Sequence, residues 1–199
     1  MILEKTQKLS VKDLATIGIF SAVMIVVFFA FSIVTGFSLF FNMIFNAVCV
    51  AFILSPFFVY LCMMVGKPVI VFIYNLIHAI MAGLLMTPLM FPWFIAGGII
   101  GELSMFGKKS YRNIKRVSIA WVITSLTRAT HGMACIWFFK DAFISTGVSL
   151  EQVAEQTKYY TSMPWVLFSL ILTAIAAIAG CYIGNKIMKK HFEKMGVIS

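Results

Sequence analysis

Arg128 interrupts a stretch, residues 117–139, that carries no other charge, and the side chains spaced around it are of ligand-binding type. Thr124, Arg128, His131 and Cys135 recur at intervals of four, three and four, so on a helix they share one face, which Trp121 extends. Asn75 and His78, three apart, and Asn42 and Asn46, four apart, are two more polar pairs in otherwise apolar sequence. A guanidinium presents a fork of donors that matches a carboxylate or phosphate. Amides and neutral imidazoles both donate and accept. A charge near the middle of a bilayer costs at least about 2.5 kcal/mol, so it marks a site by default. Two arrangements fit. In one, Arg128 faces a polar cavity that opens outward, with His131, His78, Asn75, Asn42, Asn46, Trp93 and Tyr159 as further ligand contacts. In the other, Arg128 pairs internally with Glu102, the one acid within the apolar stretches, and the aromatics form an interfacial belt.

The elements that hold these residues are transmembrane helices. Residues 14–66 carry no charge, and 61% of the chain is hydrophobic against 12% charged. A crossing takes about 20 apolar residues, so this run is long enough for two. Thr35–Asn42 breaks it. Gly66-Lys67-Pro68 ends it, and Thr87-Pro88 and Phe91-Pro92 break the next run. The expectation is an all-α membrane protein, a six-helix bundle with helices near 13–34, 43–65, 68–86, 92–107, 117–139 and 163–185. It forms a single transmembrane domain over 1–199. The first apolar stretch is too long for a signal peptide's core, lacks a clear cleavage site and is expected to stay as helix one.

Charge sets the orientation. With both termini in the cytoplasm, Lys5, Lys8, Lys12, Lys67, Lys108, Lys109, Arg112, Lys115, Arg116, Lys186, Lys189, Lys190 and Lys194 lie inside. They account for 13 of the 16 basic residues. Lys140 and Lys158 lie outside, as the positive-inside rule favours. The net charge of +9 therefore needs no nucleic-acid partner. In the outer loop, 140–162, Ser149-Leu-Glu-Gln152 reads as a capping box starting a short surface helix over the outer mouth.

Lipid supplies no hydrophobic drive between helices, so close packing depends on small residues. Ala176, Gly180 and Gly184 on helix six, Gly97 and Gly101 on helix four, and Ala79 and Gly83 on helix three suit packing within the bundle. Ala15, Gly18 and Ala22 on helix one form a long small face at the inner end, which suits a neighbouring subunit. Cys49, Cys62, Cys135 and Cys181 lie in apolar runs and read as small buried hydrophobes. No phosphate-cradling loop, HExxH, GxSxG or carboxylate pair within one span is present, so no enzyme activity, metal or cofactor is expected. The chain holds no engine of its own.

Lys8-Leu-Ser-Val-Lys-Asp-Leu-Ala-Thr-Ile-Gly-Ile-Phe-Ser-Ala22 and Gly101-Glu-Leu-Ser-Met-Phe-Gly-Lys-Lys-Ser110 resemble segments of a known group. It is the substrate-binding S components of energy-coupling-factor (ECF) transporters, and the likeness is greatest to the Trep/Strep (MptD-like) set. The resemblance implies a multi-pass protein of the bacterial plasma membrane that captures a micronutrient from outside. It also implies partners: a coupling membrane subunit and two ATPases. An A-x-x-x-A face docks S components on the coupling subunit, and here Gly18-x-x-x-Ala22, with Ala15 one turn earlier, is the nearest match. A membrane enzyme using His78 and His131, or a ligand-free scaffold, are the alternatives. The ligand stays open between a vitamin, an anionic metabolite and a metal chelate such as haem.

Overall fold

The computed structural model describes residues 8–85, 87–107 and 110–192, with side chains as far as Lys190. Lys5, Lys108, Lys109 and Lys194, and the end of helix three at Met86, lie outside the described residues. The described chain forms eight α-helices: α1 (Val11–Thr35), α2 (Leu39–Val65), α3 (Ile70–Leu85), α4 (Met90–Leu103), α5 (Ile114–Phe138), α6 (Lys140–Ser145), α7 (Leu150–Tyr160) and α8 (Met163–Phe192). A 3₁₀ turn, Ser110–Arg112, precedes α5.

Local chemistry sets the boundaries. Ser10 and Asp13 form a capping box, so α1 starts at Val11, two residues before the expected start. The break after α1 is only Gly36–Ser38, because Ser38 caps α2 through the Phe41 amide. Asn42 and Asn46 therefore lie within the first turns of α2, which begins four residues early. The left-handed Gly66 (φ 63°) ends α2, with its N–H on the Cys62 carbonyl at 2.8 Å. Pro92 falls in the first turn of α4, where its missing N–H is tolerated, so the helix begins at Met90. Ser149 Oγ accepts the Gln152 amide at 3.2 Å and starts α7, which is the N-cap half of the expected capping box. In the outer-loop segment α6 is an additional short helix.

The six longer helices close a ring. In spatial order α1 packs on α2, α2 on α8, α8 on α5, α5 on α4, α4 on α3, and α3 returns to α1. Helices α2 and α5 also touch across the middle, where Phe58 and Trp121 pack at 4.6 Å between ring centroids. Small and polar residues of α8 turn toward the bundle, and large apolar ones turn away from it. On α8, Ser169, Thr173, Ala177, Gly180 and Gly184 are buried, while Leu167, Ile171, Ile175, Ile178 and Tyr182 face outward. A Cβ on Gly180 would lie 2.5 Å from the Phe52 carbonyl oxygen, and one on Gly184 2.7 Å from Pro56 Cα. Close approach of α8 to α2 thus requires both glycines.

Helices α1, α2 and α8 are long and apolar enough to cross a membrane by length and composition, and α3 and α4 are shorter apolar helices. At 1.5 Å per residue α3 spans about 24 Å and α4 about 21 Å. The ring has two ends. One carries α6 and α7. The other carries the 3₁₀ turn, Lys67, Lys115, Arg116 and the basic end of α8.

Candidate functional site

Arg128 lies deep in the ring. Arg128 is fourteen residues into α5, about 21 Å from its start, and only 2% exposed. Its Nη2 donates to Tyr74 Oη at 3.2 Å, and its guanidinium carbon lies 5.6 Å from the centroids of both the Phe28 and Trp121 rings. Ring faces partly offset the cost of the buried cation. Nε and Nη1 have no hydrogen-bond partner among the described residues. Among the described residues the ion pairs are Asp13–Lys67 and Glu155–Lys158, so no carboxylate neutralises Arg128.

Glu102 does not pair with Arg128. Its carboxylate accepts the Val69 amide at 2.7 Å, the Phe72 amide at 3.1 Å and the Tyr111 hydroxyl. It caps the start of α3, whose first amides have no intrahelical acceptor. It also holds Val69, a β-branched residue at φ 75° in the sparsely populated left-handed region. Close by, Lys67 Nζ meets Asp13 Oδ2 at 2.5 Å and ties α1 to the same turn. The Tyr111 hydroxyl, outside the apolar helices, is pushed above its ordinary value by burial and then by the Glu102 carboxylate.

Arg128 lines a cavity of about 360 Å³ at the α7 end, enclosed by α1, α2, α5, α6, α7 and the turn into α4. Asn42, Asn46 and His131 line it too, so four of the eight expected contacts come together. The Asn42 amide NH₂ donates to Thr35 Oγ1 at 2.9 Å and the Ser32 carbonyl at 3.3 Å. The Asn46 NH₂ donates to Thr35 Oγ1 at 2.8 Å and Ser32 Oγ at 3.2 Å. Both amides thus spend their NH₂ groups on the last turn of α1. His131 Nδ1 bonds the Arg128 carbonyl, which makes Nδ1 the donor and Nε2 the free acceptor.

The other four expected contacts lie elsewhere. Asn75 donates to Thr124 Oγ1 at 3.1 Å and the Val71 carbonyl at 2.9 Å, and His78 Nδ1 meets the Tyr74 carbonyl at 3.1 Å. Both are buried among Tyr74, Thr124 and Arg128 but line no part of the cavity. Trp93 Nε1 ties α4 to α5 through the Thr127 carbonyl and Thr130 Oγ1. Tyr159 joins an aromatic cluster with Phe40 and Trp165.

Helix α7 forms the roof, and it supplies contacts that the sequence reading missed: Gln152, Gln156 and Tyr160. Trp137 Nε1 bonds the Tyr160 carbonyl at 2.7 Å, and Tyr160 packs on Gly132 of α5. Gln156 Oε1 is buried and has no partner among the described residues. The signal was available: Gln152, Gln156 and Tyr160 recur every four residues on a helix predicted to lie over the mouth.

Residues 11–194 match the family described as hypothetical bacterial integral membrane protein (Trep_Strep). The chain belongs to the Trep_Strep family. It is accordingly a multi-pass bacterial membrane protein, in keeping with the apolar outer faces of its helices. No curated protein and no solved structure matches it. The family match covers the cavity, α7 and the Glu102 turn alike.

The small-residue faces divide in the same Trep_Strep chain. On α4, a Cβ on Gly97 would collide with Thr127, one on Gly98 would lie 2.8 Å from Asn75 Cβ, and one on Gly101 3.0 Å from Val71 Cγ1. On α1, a Cβ on Gly18 would meet nothing within 4 Å, and Ala15 and Ala22 are exposed.

Proposed function

We propose that this chain is the substrate-binding subunit of an ECF-type importer. It crosses the membrane six times with both termini in the cytoplasm, captures a small micronutrient at the α7 end, and docks on a coupling subunit driven by two ATPases. The observation that carries this reading is the cavity at the α7 end with a buried, half-satisfied Arg128 on its wall. A charge so placed costs folding energy that a purely structural bundle has no reason to spend.

Charge supports the orientation. Lys67, Arg112, Lys115, Arg116, Lys186, Lys189 and Lys190 all belong to the end opposite α7, whereas α6 and α7 carry Lys140 and Lys158. The six-crossing topology is supported by the closed ring, in which each longer helix reverses the direction of the one before it in sequence. The open face of α1 at Ala15, Gly18 and Ala22 suits docking, because small residues let a second membrane helix approach closely.

Ala22→Trp tests the reading. The side chain is exposed, so the variant is expected to fold with an unchanged melting temperature. Co-expressed with the coupling subunit and both ATPases, the wild type should copurify with them and Ala22→Trp should not. Equal recovery of the ATPases with both proteins would remove α1 as the docking face.

A further inference from the structure

We infer that the cavity selects a small amphoteric ligand: an oxyanion held by Arg128, with hydrogen-bond donors at the ligand's other end. The inference rests on reading the cavity as a ligand site, and it adds the chemical class of the occupant. On the α5 wall the unpartnered groups are donors, Nε–H and Nη1–H of a guanidinium that is 2% exposed. Nε–H and the Nη1 N–H groups lie on different edges of the guanidinium, and each can give an oxyanion a charge-assisted hydrogen bond. The surrounding wall adds acceptors, beside the amide NH₂ groups of Gln152 and Gln156 and the Tyr160 hydroxyl. Asn42 and Asn46 have turned their NH₂ groups onto Ser32 and Thr35, His131 has spent Nδ1 on the Arg128 carbonyl, and Gln156 Oε1 is buried without a partner.

A ligand that is only an anion would leave those acceptors unpaired. A ligand that is only a cation would face Arg128. One small molecule carrying a carboxylate, phosphate or sulfonate together with N–H or O–H groups satisfies both walls. Phe28, Met43 and Met90 also line the cavity and supply apolar contact for its body. A cavity of about 360 Å³ is near the lower end of the ~300–1,000 Å³ range of ligand sites, so the occupant is compact.

The chain has three arginines, Arg112, Arg116 and Arg128, so arginine-selective ¹⁵N labelling yields three Nε–H signals. Arg128→Lys assigns the third by its loss. Benzoate, 4-aminobenzoate, 4-aminobenzamide and inorganic phosphate are titrated into the protein in lipid nanodiscs at constant ionic strength, with chloride as the reference. The Arg128 signal is expected to move saturably with 4-aminobenzoate, and about 10- to 100-fold less readily with the neutral 4-aminobenzamide. Benzoate, which lacks the donor, should bind about 2- to 10-fold more weakly than 4-aminobenzoate, and Gln156→Leu should narrow that gap. The phosphate arm distinguishes a phosphorylated ligand from a carboxylate. An Arg128 signal that no oxyanion moves, or that the amide moves equally, overturns the inference. These outcomes are independent of docking. If 4-aminobenzoate moves Arg128 while Ala22→Trp still copurifies with the ATPases, the docking reading fails and the ligand class stands. If Arg128 stays still while Ala22→Trp loses the ATPases, the reverse holds.

Discussion

Glu102 and Arg128 lie on neighbouring helices, and the chain satisfies them to different extents. Glu102, at the end opposite α7, has its carboxylate filled by two backbone amides and a phenol. Arg128, toward α7, makes one hydrogen bond and two ring contacts, and two of its nitrogens have no acceptor among the described residues. The same division separates the small-residue faces. Gly180 and Gly184 are filled by the backbone of α2, whereas Gly18 faces open space. Where the chain completes its own contacts, the residues serve the fold. Where it stops short, the remaining contacts are available to another molecule.

The largest expected effect breaks a filled position. Gly180→Leu drives a side chain into the Phe52 carbonyl, which lies on backbone and cannot swing away. A loss of at least about 3 kcal/mol is expected, enough to prevent recovery of folded protein. Gly18→Leu should leave thermal stability unchanged. Comparable melting temperatures for the two variants would erase the distinction between the filled and open faces.

The ionisable pair gives the next contrast. Glu102→Leu strands two amides of the α3 start and the Tyr111 hydroxyl, at a cost of about 2–4 kcal/mol. Arg128→Met removes a buried charge that the chain only partly satisfies, so stability should stay within about 1 kcal/mol of the wild type or rise. Denaturation in mild detergent measures both. A drop for Arg128→Met as large as that for Glu102→Leu would mean that Arg128 is a structural residue.

Much of this division was legible in the residues. Arg128 announced itself by type and depth, and the S-L-E-Q signature located the start of α7. The helix boundaries that moved, at Val11, Leu39 and Met90, moved because a cap or a first-turn proline acts on single residues that hydropathy averages over. What pattern could not supply was pairing. As the one acid in the apolar stretches, Glu102 looked like the natural partner of Arg128. Yet the turn Gly66–Val69 leaves amides of α3 bare at the same end as Glu102, and that need was readable. Asn75 and His78 share their depth with Arg128 but point into packed helix contacts, which spacing on one helix does not reveal. Gln152 and Gln156 resembled ordinary polar groups of a surface helix, because the cavity beneath them is assembled from five other parts of the chain.

The smallest expected effect isolates one bond of the filled end. The Tyr111 hydroxyl donates to Glu102, and burial with that negative charge holds its proton above the ordinary tyrosine value of 10. In the unfolded chain the hydroxyl ionises near 10, while in the folded chain it still holds its proton there. The bond's contribution is therefore complete below that pH and lost as pH rises above it. Tyr111→Phe should cost about 1 kcal/mol at neutral pH, the lower end for a hydrogen bond to a charged group because the site is partly exposed. The gap between the two proteins should then close as pH climbs past 10. Lysines also titrate in that range, but they do so in both proteins and cancel in the difference. A stability gap that stays constant across the alkaline range would show that Tyr111 supports the Glu102 turn by packing alone, and that the carboxylate is held by the two amides of α3.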